Sequence, residues 1–279
     1  MAWFTQSLAS GVLCTAKPAL HAVVALPLYW MVLSAFKPAG GGYGPAEPRP
    51  WTPAPTLDSF RRVFAQEDFG RYFLNSVVVA VAVVIASAFI AFLAATAVTR
   101  FRFRSRTTLL TMFLVARMVP VEALTIPLFF VMRDLGQLNT LRSLILPHIA
   151  FSLAFAIWML RGFVKGVPEA LEEAAYMDGA SRTRFLWQIL FPLVLPGLVA
   201  TSVFSFISAW NDFLSAKSFI ISDISQSALP MALPVFCKPD DPDWSGVMAA
   251  STVMTIPVLV FFVLVQRRLV SGPGGAVKD

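Results

Sequence analysis

Charged residues are scarce in this chain. Only 14% of its 279 residues are Asp, Glu, Lys or Arg, against about 25% in ordinary soluble domains. The mean hydropathy is +0.71. This composition excludes a typical soluble domain and indicates a protein that is largely surrounded by lipid.

Cysteine and histidine are nearly absent, with two residues of each. Cys14 and Cys237 provide no disulfide framework, and the topology predicted below places them on opposite sides of a membrane. His21 and His148 stand alone in apolar surroundings, which favours a structural role over metal ligation. We therefore expect neither a metal ion nor a cofactor in this chain.

The sequence also lacks G-x-x-x-x-G-K-[ST], the loop that holds nucleotide phosphates. The glycines at 40–44 are not followed by Lys and Ser or Thr. The net charge of +6 does not predict nucleic-acid binding, because no basic stripe is interleaved with aromatic residues on a soluble domain. We expect no ATPase site and no enzyme activity of the chain's own.

Long apolar runs dominate what is present. Five runs contain no charged residue, and each approaches or exceeds the roughly 20 residues that a spanning helix needs. A sixth run, Thr107–Met132, contains Arg117 and Glu122. Backbone groups must pair internally in hydrocarbon, so the sequence predicts an all-α integral membrane protein with six transmembrane helices. The five uncharged runs are Pro18–Phe36, Tyr72–Thr99, Ser143–Leu160, Phe185–Asn211 and Val247–Gln266.

The distribution of basic residues predicts the orientation of these helices. With the N-terminus inside, the inner segments carry an excess of Lys and Arg, whereas basic and acidic residues nearly balance outside. The short loop FRFRSR at 101–106 is the clearest signal. The positive-inside rule therefore predicts that both termini are cytoplasmic. The first run is longer than a signal peptide's apolar region and lacks a small-residue cleavage site, so we expect it to be retained.

We expect three parts along the chain. Within the first part, Leu57, Phe60, Val63 and Phe64 have helical spacing and predict a short amphipathic outer helix, capped by Thr56 or Asp58. The parts are residues 1–70 (cytoplasmic lead, first transmembrane helix and outer loop), 71–268 (a five-helix core with an inner loop at about 162–192) and 269–279 (a cytoplasmic tail).

Prolines inside the spans predict departures from straight helix. Pro120 and Pro127 are expected to interrupt the third span, and Pro257 the sixth, because proline removes a backbone hydrogen bond. Broken helices often line a path in transporters. Proline is also simply commoner in membrane helices than in soluble ones, and both interpretations stay open.

A charged stretch, EAAYMDGASRTRFLWQILFP, lies between two apolar runs at residues 173–192. Pro168 suits the first helical position, and the glutamates after it suit the positive end of a helix dipole. Gly179 is placed to end this helix in a left-handed conformation, and Ser181 to cap the next one. The sequence predicts a short helix across the inner mouth, which suits docking of a soluble partner.

The same stretch resembles the signature of the membrane subunits of bacterial ABC importers. That signature is EAA, three residues, Gly, nine residues and I-x-L-P, and Phe191 replaces its usual leucine. The resemblance implies the type I ABC importer permease fold and a coupling helix that docks in a groove of a separate ATPase. The residues it assigns to coupling are Glu172, Glu173, Ala174, Ala175, Asp178 and Gly179.

Segments outside this motif, such as AWNDFL at 209–214, resemble the carbohydrate-uptake branch, which includes the maltose permeases. This resemblance implies a sugar importer in a bacterial cytoplasmic membrane. It also implies a heterodimer with a second homologous permease, two copies of an ATPase that holds ATP and Mg²⁺, and an external substrate-binding protein. The tail at 271–279 is a candidate to reach between the ATPases. VPVEALTIP around Glu122 also resembles permeases for glycerophosphate-type substrates, so a phosphodiester or polyol stays an alternative.

Five residues are candidates for the substrate pathway. Charges inside a bilayer are costly and usually functional, which points to Arg117 and Glu122. They could instead pair with each other or with the partner permease. Trp210, Asn211 and Asp212 could stack on and hydrogen-bond a sugar, or Trp210 could be an interfacial anchor with capping neighbours.

Two further classes of function were weighed. An ion-coupled secondary transporter could use Arg117 and Glu122, but such proteins often contain internal repeats and this sequence has none that is evident. A structural membrane scaffold would not explain the spacing of the EAA motif. Both are therefore less favoured than an importer subunit.

Overall fold

A computed structural model describes residues 23, 25–38, 50–52, 54–66, 68–101, 103–237 and 243–270. Its regular elements are all helices, and no strand occurs among these residues, which confirms the predicted all-α class. Two 3₁₀ turns, Ile224–Gln226 and Leu229–Ala232, lie in the loop before α10. The helices are α1 Ala25–Ala35, α2 Asp58–Ala65, α3 Phe69–Arg100, α4 Arg106–Met118, α5 Val121–Asp134, α6 Leu141–Gly166, α7 Glu169–Met177, α8 Arg182–Trp210, α9 Phe213–Phe219, α10 Leu233–Phe236 and α11 Trp244–Val270.

Four of these helices, α3, α6, α8 and α11, are long and apolar enough to cross a membrane. They coincide with four of the predicted spans. The first predicted span is described only from residue 23 onward, and there α1 is a shorter apolar helix. The third predicted span is two helices, α4 of 13 residues and α5 of 14.

Pro120 causes the break in this third span. Val119 has ψ 125° and Pro120 has ψ 129°, so both are extended. A proline ring disfavours helical geometry in the residue before it, which explains why α4 ends there. The expected interruptions at Pro127 and Pro257 do not occur, because both residues lie inside continuous helices.

The contacts divide the chain into two compact units, of which the first comprises Met1–Phe69 and Ala232–Ile256. Its helix α2 is present as predicted and buries Val63 completely, whereas its location on the outer side stays a prediction. The predicted caps are wrong: Leu57 occupies the N-cap position, and no side chain caps the helix. The backbone N–H of Thr56 instead donates to the carbonyl of Phe36 at 2.9 Å, which ties the start of α2 to the end of α1.

Arg62 of α2 also holds the start of α11 in this unit. Its Nε donates to Asp243 Oδ2 at 3.1 Å and its Nη2 to Ser245 Oγ at 3.0 Å. Asp243 Oδ1 accepts from the backbone N–H of Gly246 at 2.9 Å. Partial burial alone would raise the pKa of Asp243, but the hydrogen bonds from Gly246 and Ser245 and the charge of Arg62 together lower it.

The second unit comprises Gly70–Met231 and Pro257–Asp279. Small residues let its helices approach closely, as is usual where lipid provides no hydrophobic driving force. A Cβ at Gly197 of α8 would lie 2.5 Å from the ring of Phe163 of α6, so this contact requires glycine. The buried core toward α7 is formed by α3, α6, α7 and α8 and includes Ala91, Phe92, Ala95, Leu160, Val164, Ala175, Phe185 and Leu190.

Candidate functional site: helix α7 and its contacts with α3 and α6

Helix α7 begins one residue later than the sequence predicted. Pro168 is its N-cap, with ψ 139°, and Glu169 is its first helical residue. Pro168 was expected at that first position. The acidic first turn is present, with Glu169 and Glu172, and negative charge there stabilises the helix dipole.

The end of α7 matches the prediction in detail. Gly179 has φ +79°, the left-handed conformation that glycine adopts without strain. Its N–H donates to Tyr176 O at 3.0 Å, and the N–H of Ala180 donates to Ala175 O at 2.9 Å, which together make a Schellman motif. Ser181 Oγ accepts from the backbone N–H of Arg184 at 3.2 Å and so caps α8 as expected.

Glu172 is held inside the protein by Arg100, the last residue of α3. Arg100 Nε lies 3.2 Å from Glu172 Oε2, and the Arg100 side chain is only 7% exposed. The hydroxyl of Tyr176 donates to Glu172 Oε1 at 2.9 Å. Burial and this hydrogen bond raise the pKa of Tyr176, because both favour the neutral phenol.

Arg100 also reaches the end of α6. Its Nη2 donates to the carbonyl oxygen of Val167 at 2.9 Å and lies 3.4 Å from that of Val164. A cation there satisfies the carbonyls that a helix leaves unpaired at its C-terminus. One guanidinium therefore joins the ends of α3 and α6 to the first turns of α7.

The other predicted coupling residues divide between the two sides of α7. Ala175 is 7% exposed and belongs to the core, whereas Glu173, Ala174, Asp178 and Gly179 are exposed. Two apolar side chains accompany them: Met177 is 87% exposed and Leu171 40%. We call the surface formed by Leu171, Glu173, Ala174, Met177 and Asp178 the α7 face. It combines acidic and apolar groups and has no cover within the described part of this chain.

Two cavities of about 500 Å³ each share Arg100, Glu172 and Tyr176 in their walls. The first is lined mainly by apolar residues of α3 and α8, such as Leu93 and Phe185. Charged side chains line much of the second, among them Arg106, Lys165, Glu169 and Glu173. The contact between Arg100 and Glu172 is therefore flanked by two cavities into which neighbouring side chains can move.

The start of α8 contains a feature that the sequence reading missed. Residues Phe185–Leu190 form a π-helical segment, in which the N–H of Phe191 donates to Leu186 O, five residues back. Such segments are frequent at functional sites. Pro192, which follows two residues later, has no N–H to give to Gln188 and could have signalled the irregularity.

The candidates Arg117 and Glu122 lie on either side of the break at Val119 and Pro120. Glu122 is exposed in the first turn of α5. Arg117 lies near the end of α4, and its side chain is outside the described set. Their proposed role in a substrate pathway stays a prediction.

Trp210, Asn211 and Asp212 occupy three different environments. Trp210 is 1% exposed and packs between Phe206, with ring centroids 5.5 Å apart, and Phe73, at 5.9 Å. Asn211 is exposed. Asp212 caps α9 by accepting from the N–H of Ser215 at 3.0 Å. Of the three residues only Asn211 is exposed, and substrate contact by the three stays a prediction.

Asp212 has a second partner in His148, which sequence reasoning treated as isolated. His148 Nε2 lies 3.1 Å from Asp212 Oδ2, and its Nδ1 lies 2.7 Å from the carbonyl oxygen of Leu144. Both ring nitrogens thus lie within hydrogen-bond distance of oxygen atoms. The pair joins α6 to the turn after α8.

Arg100 is the residue of this site that sequence reasoning did not single out. It was counted among the inner basic residues that predict orientation. A basic residue at the last position of a 32-residue helix has an ordinary explanation in the positive-inside rule. Only the fold brings it to Glu172, 72 residues further along the chain.

The family described as binding-protein-dependent transport system inner membrane component matches residues 87–272 of this chain. The diacetylchitobiose uptake system permease protein DasC of Streptomyces coelicolor is 38% identical over 254 residues, which are 90% of this chain and 91% of that protein. The trehalose transport system permease protein SugB of Mycobacterium tuberculosis is 36% identical over 227 residues, 80% of this chain and 82% of that protein.

A solved structure has the same fold. It is a chain of a bacterial ABC transporter involved in the import of the acidic polysaccharide alginate, which superimposes with a TM-score of 0.77 at 21% identity. The match covers 94% of this chain and 97% of that chain. The helices described above therefore have the type I ABC importer permease arrangement that the EAA motif predicted.

Proposed function

This chain belongs to the family of binding-protein-dependent transport system inner membrane components, and we propose that it is the permease subunit of a sugar importer driven by a separate ATPase. It is a multi-pass membrane protein and a transport component. The observation that carries the proposal is the α7 face, which leaves Glu173 and Met177 exposed on a helix whose opposite side is fixed to the bundle.

The α7 face is suited to transmit motion from an ATPase. A helix can transmit a displacement only if it does not rotate or slide against its own bundle. The Arg100–Glu172 ion pair, buried Ala175 and the Schellman motif at Gly179 hold α7 in this way. Movement of a partner bound to Glu173 and Met177 would therefore move the ends of α3 and α6.

A sugar is the substrate class that the relatives favour. The names of DasC and SugB specify diacetylchitobiose and trehalose, both disaccharides. Both relatives match most of this chain, so the likeness includes the membrane helices and is not confined to the EAA motif. A glycerophosphodiester or polyol stays the alternative within the same importer class.

The proposed assembly follows the same reasoning. Six spans require α1 and the pair α4 and α5 to cross the membrane with the four long helices, and both termini are then cytoplasmic. The complex would contain a second homologous permease, two ATPase subunits that bind ATP and Mg²⁺, and an external binding protein, all at a bacterial cytoplasmic membrane. The chain itself would bind no cofactor.

Purification of the tagged chain in mild detergent from its own membranes tests this proposal. Mass spectrometry should find a second six-span permease and an ATPase with a phosphate-binding loop. Any binding protein recovered would then be tested for thermal stabilisation by diacetylchitobiose, trehalose and glycerophosphocholine. A chain that purifies alone, and transports alone in vesicles without ATP, would favour an ion-coupled carrier instead.

Two substitutions test the coupling assignment. Glu173→Lys reverses an exposed charge on the α7 face, and Gly179→Asp places a side chain at a left-handed position next to it. Both variants should insert into the membrane normally, lose most of the co-purified ATPase and lose uptake. Normal uptake by either variant would contradict the assignment of α7 as the coupling helix.

A further inference from the structure

Helix α3 is anchored by buried polar side chains at both of its ends. Arg100 holds the inner end, through Glu172 and the carbonyl of Val167. Asn75, nearly two turns from the outer end at Phe69, is 9% exposed, and its Nδ2 donates to the carbonyls of Ser225 and Ser227, each at 2.9 Å. The two anchors lie at opposite ends of one continuous helix.

Ser76 adds a third bond at the outer end. Its Oγ accepts from the backbone N–H of Leu229 at 2.7 Å, and Ser76 is 2% exposed. Asn75 and Ser76 therefore hold the segment 225–229, which runs from the first 3₁₀ turn into the second. Ala228 of this segment is buried in a cluster that includes Val79 and Val83 of α3, so side chains of α3 contribute both hydrogen bonds and packing to its position.

The helix between these anchors has no break. From Asn75 to Arg100 there are 25 residues, which at 1.5 Å per residue span about 37 Å. That length exceeds the hydrocarbon core of a bilayer, about 30 Å. The segment contains no proline and no glycine, and it buries Val83, Ala91 and Ala95 against its neighbours.

We propose that α3 is a strut that joins the coupling helix α7 to the outer segment 225–229, with Arg100 and Asn75 as the positioning residues at its two ends. The proposal rests on the coupling role proposed for α7. A displacement of α7 by the ATPase is transmitted through the buried Arg100–Glu172 contact to α3, and through Asn75 and Ser76 to the outer segment.

Chemistry at the inner end explains why arginine is needed there. Glutamine at position 100 could still donate to a carbonyl of α6 but would leave Glu172 without a cation, and a carboxylate without its buried partner is strongly destabilising. Lysine would keep the charge but lacks the planar, forked group with which Arg100 lies beside Glu172 and donates to the α6 carbonyls. The expected order of function is Arg, then Lys, then Gln.

Hydrogen exchange in the purified importer complex in lipid nanodiscs tests the strut without requiring a known substrate. Trapping the ATPase with ATP and vanadate should change the exchange rate of amides at 225–229 at least about threefold in the wild type. Arg100→Gln should abolish this change because it removes the ion pair with Glu172. Asn75→Ala should abolish it because it removes the bonds to Ser225 and Ser227. Arg104→Gln removes a similar charge at an exposed position of the loop that follows α3 and should behave as the wild type.

The outcomes separate this proposal from the one on which it rests. If ATPase remains bound and active with Arg100→Gln, and the response at 225–229 is unchanged, the strut is wrong although coupling through α7 stands. An absent response in the wild-type complex would also overturn it. If Glu173→Lys retains the ATPase and uptake, the coupling role itself fails. Asn75→Ala keeps the test decisive if Arg100→Gln does not fold, because Asn75 makes no charged contact.

Discussion

Helices α5 and α7 end in the same way but lead to different surfaces. Each closes with a Schellman motif around a left-handed glycine, Gly136 with φ +64° and Gly179 with φ +79°. After Gly136 the chain folds back on itself: the side chain of Asn139 accepts from the backbone N–H groups of Ile221 and Ser222 at 2.7 and 2.9 Å. After Gly179 it runs along the exposed margin of the α7 face.

The comparison shows that a left-handed glycine indicates where a helix ends but not what the loop after it does. The glycine at 136 serves a connection that the Asn139 side chain ties to the backbone of Ile221 and Ser222. Gly179 serves a loop whose neighbours Glu173 and Met177 point outward. Function is therefore carried by what the cap leaves exposed.

The largest expected effect is at the Arg100–Glu172 pair. Arg100→Glu places two carboxylates together with little solvent, and breaking a buried pair typically costs about 3–5 kcal/mol. We expect at least a tenfold loss of co-purified ATPase. The double variant Arg100→Glu, Glu172→Arg should recover only part of this loss. Its arginine lies on α7 and not on α3, so it does not replace the hydrogen bonds from Arg100 to the α6 carbonyls. Full recovery would mean that the bonds to the α6 carbonyls are unimportant.

The His148–Asp212 pair, toward the other end of the bundle, should affect stability without affecting ATPase binding. Asp212→Asn keeps a capping oxygen for α9 but removes the charge that faces His148. We expect the loss of about 1–3 kcal/mol, a lowered unfolding temperature in detergent and unchanged recovery of the ATPase. Loss of the ATPase from the Asp212→Asn variant would show that the His148–Asp212 pair also affects ATPase binding.

Substitution of the two glycines at the helix ends provides a matched comparison with a smaller expected effect. Gly136→Ala and Gly179→Ala each force a Cβ into a left-handed residue, which costs about 1–2 kcal/mol, and neither Cβ would meet another atom within 4 Å. The two variants should lose similar thermal stability. Only Gly179→Ala should also reduce ATPase recovery, and equal reductions in both would remove the distinction between the caps.

The smallest effect concerns Asp243 and pH. Because its folded-state pKa is lowered, the carboxylate contributes stability above its unfolded pKa, and this stability is lost as the pH falls through the lowered value. Asp243→Asn should therefore be less stable than the wild type at pH 7, and the gap should narrow below about pH 4. A gap that does not vary with pH would mean that packing, not charge, explains the difference.

Sequence reasoning predicted much of the fold because the relevant signals are local. Uncharged apolar runs located the four long helices, and Gly179 and Ser181 marked the ends of α7 and the start of α8. The errors concern local details: Leu57 occupies the N-cap position of α2 in place of Thr56 or Asp58, and Pro127 and Pro257 are accommodated inside continuous helices. Of the three prolines expected to interrupt a span, Pro120 follows an extended residue and breaks its helix.

The candidate site was predictable only in part. The EAA spacing identified α7, but it did not separate Glu172, which is held by Arg100, from Glu173, which is exposed. Adjacent residues on a helix point about 100° apart, and which of them faces the bundle depends on long-range packing. The same limit hid the contact of His148 with Asp212, residues from different helices.

Photo-cross-linking at Met177 tests the central claim most directly. A benzoylphenylalanine would replace Met177, the most exposed apolar residue of the α7 face, and in a control chain Met118, which is 82% exposed at the end of α4. In the intact importer we expect Met177 to form an adduct with the ATPase, with a yield that changes on trapping with ATP and vanadate, and Met118 to form none. Absence of an ATPase adduct at Met177 would contradict the account.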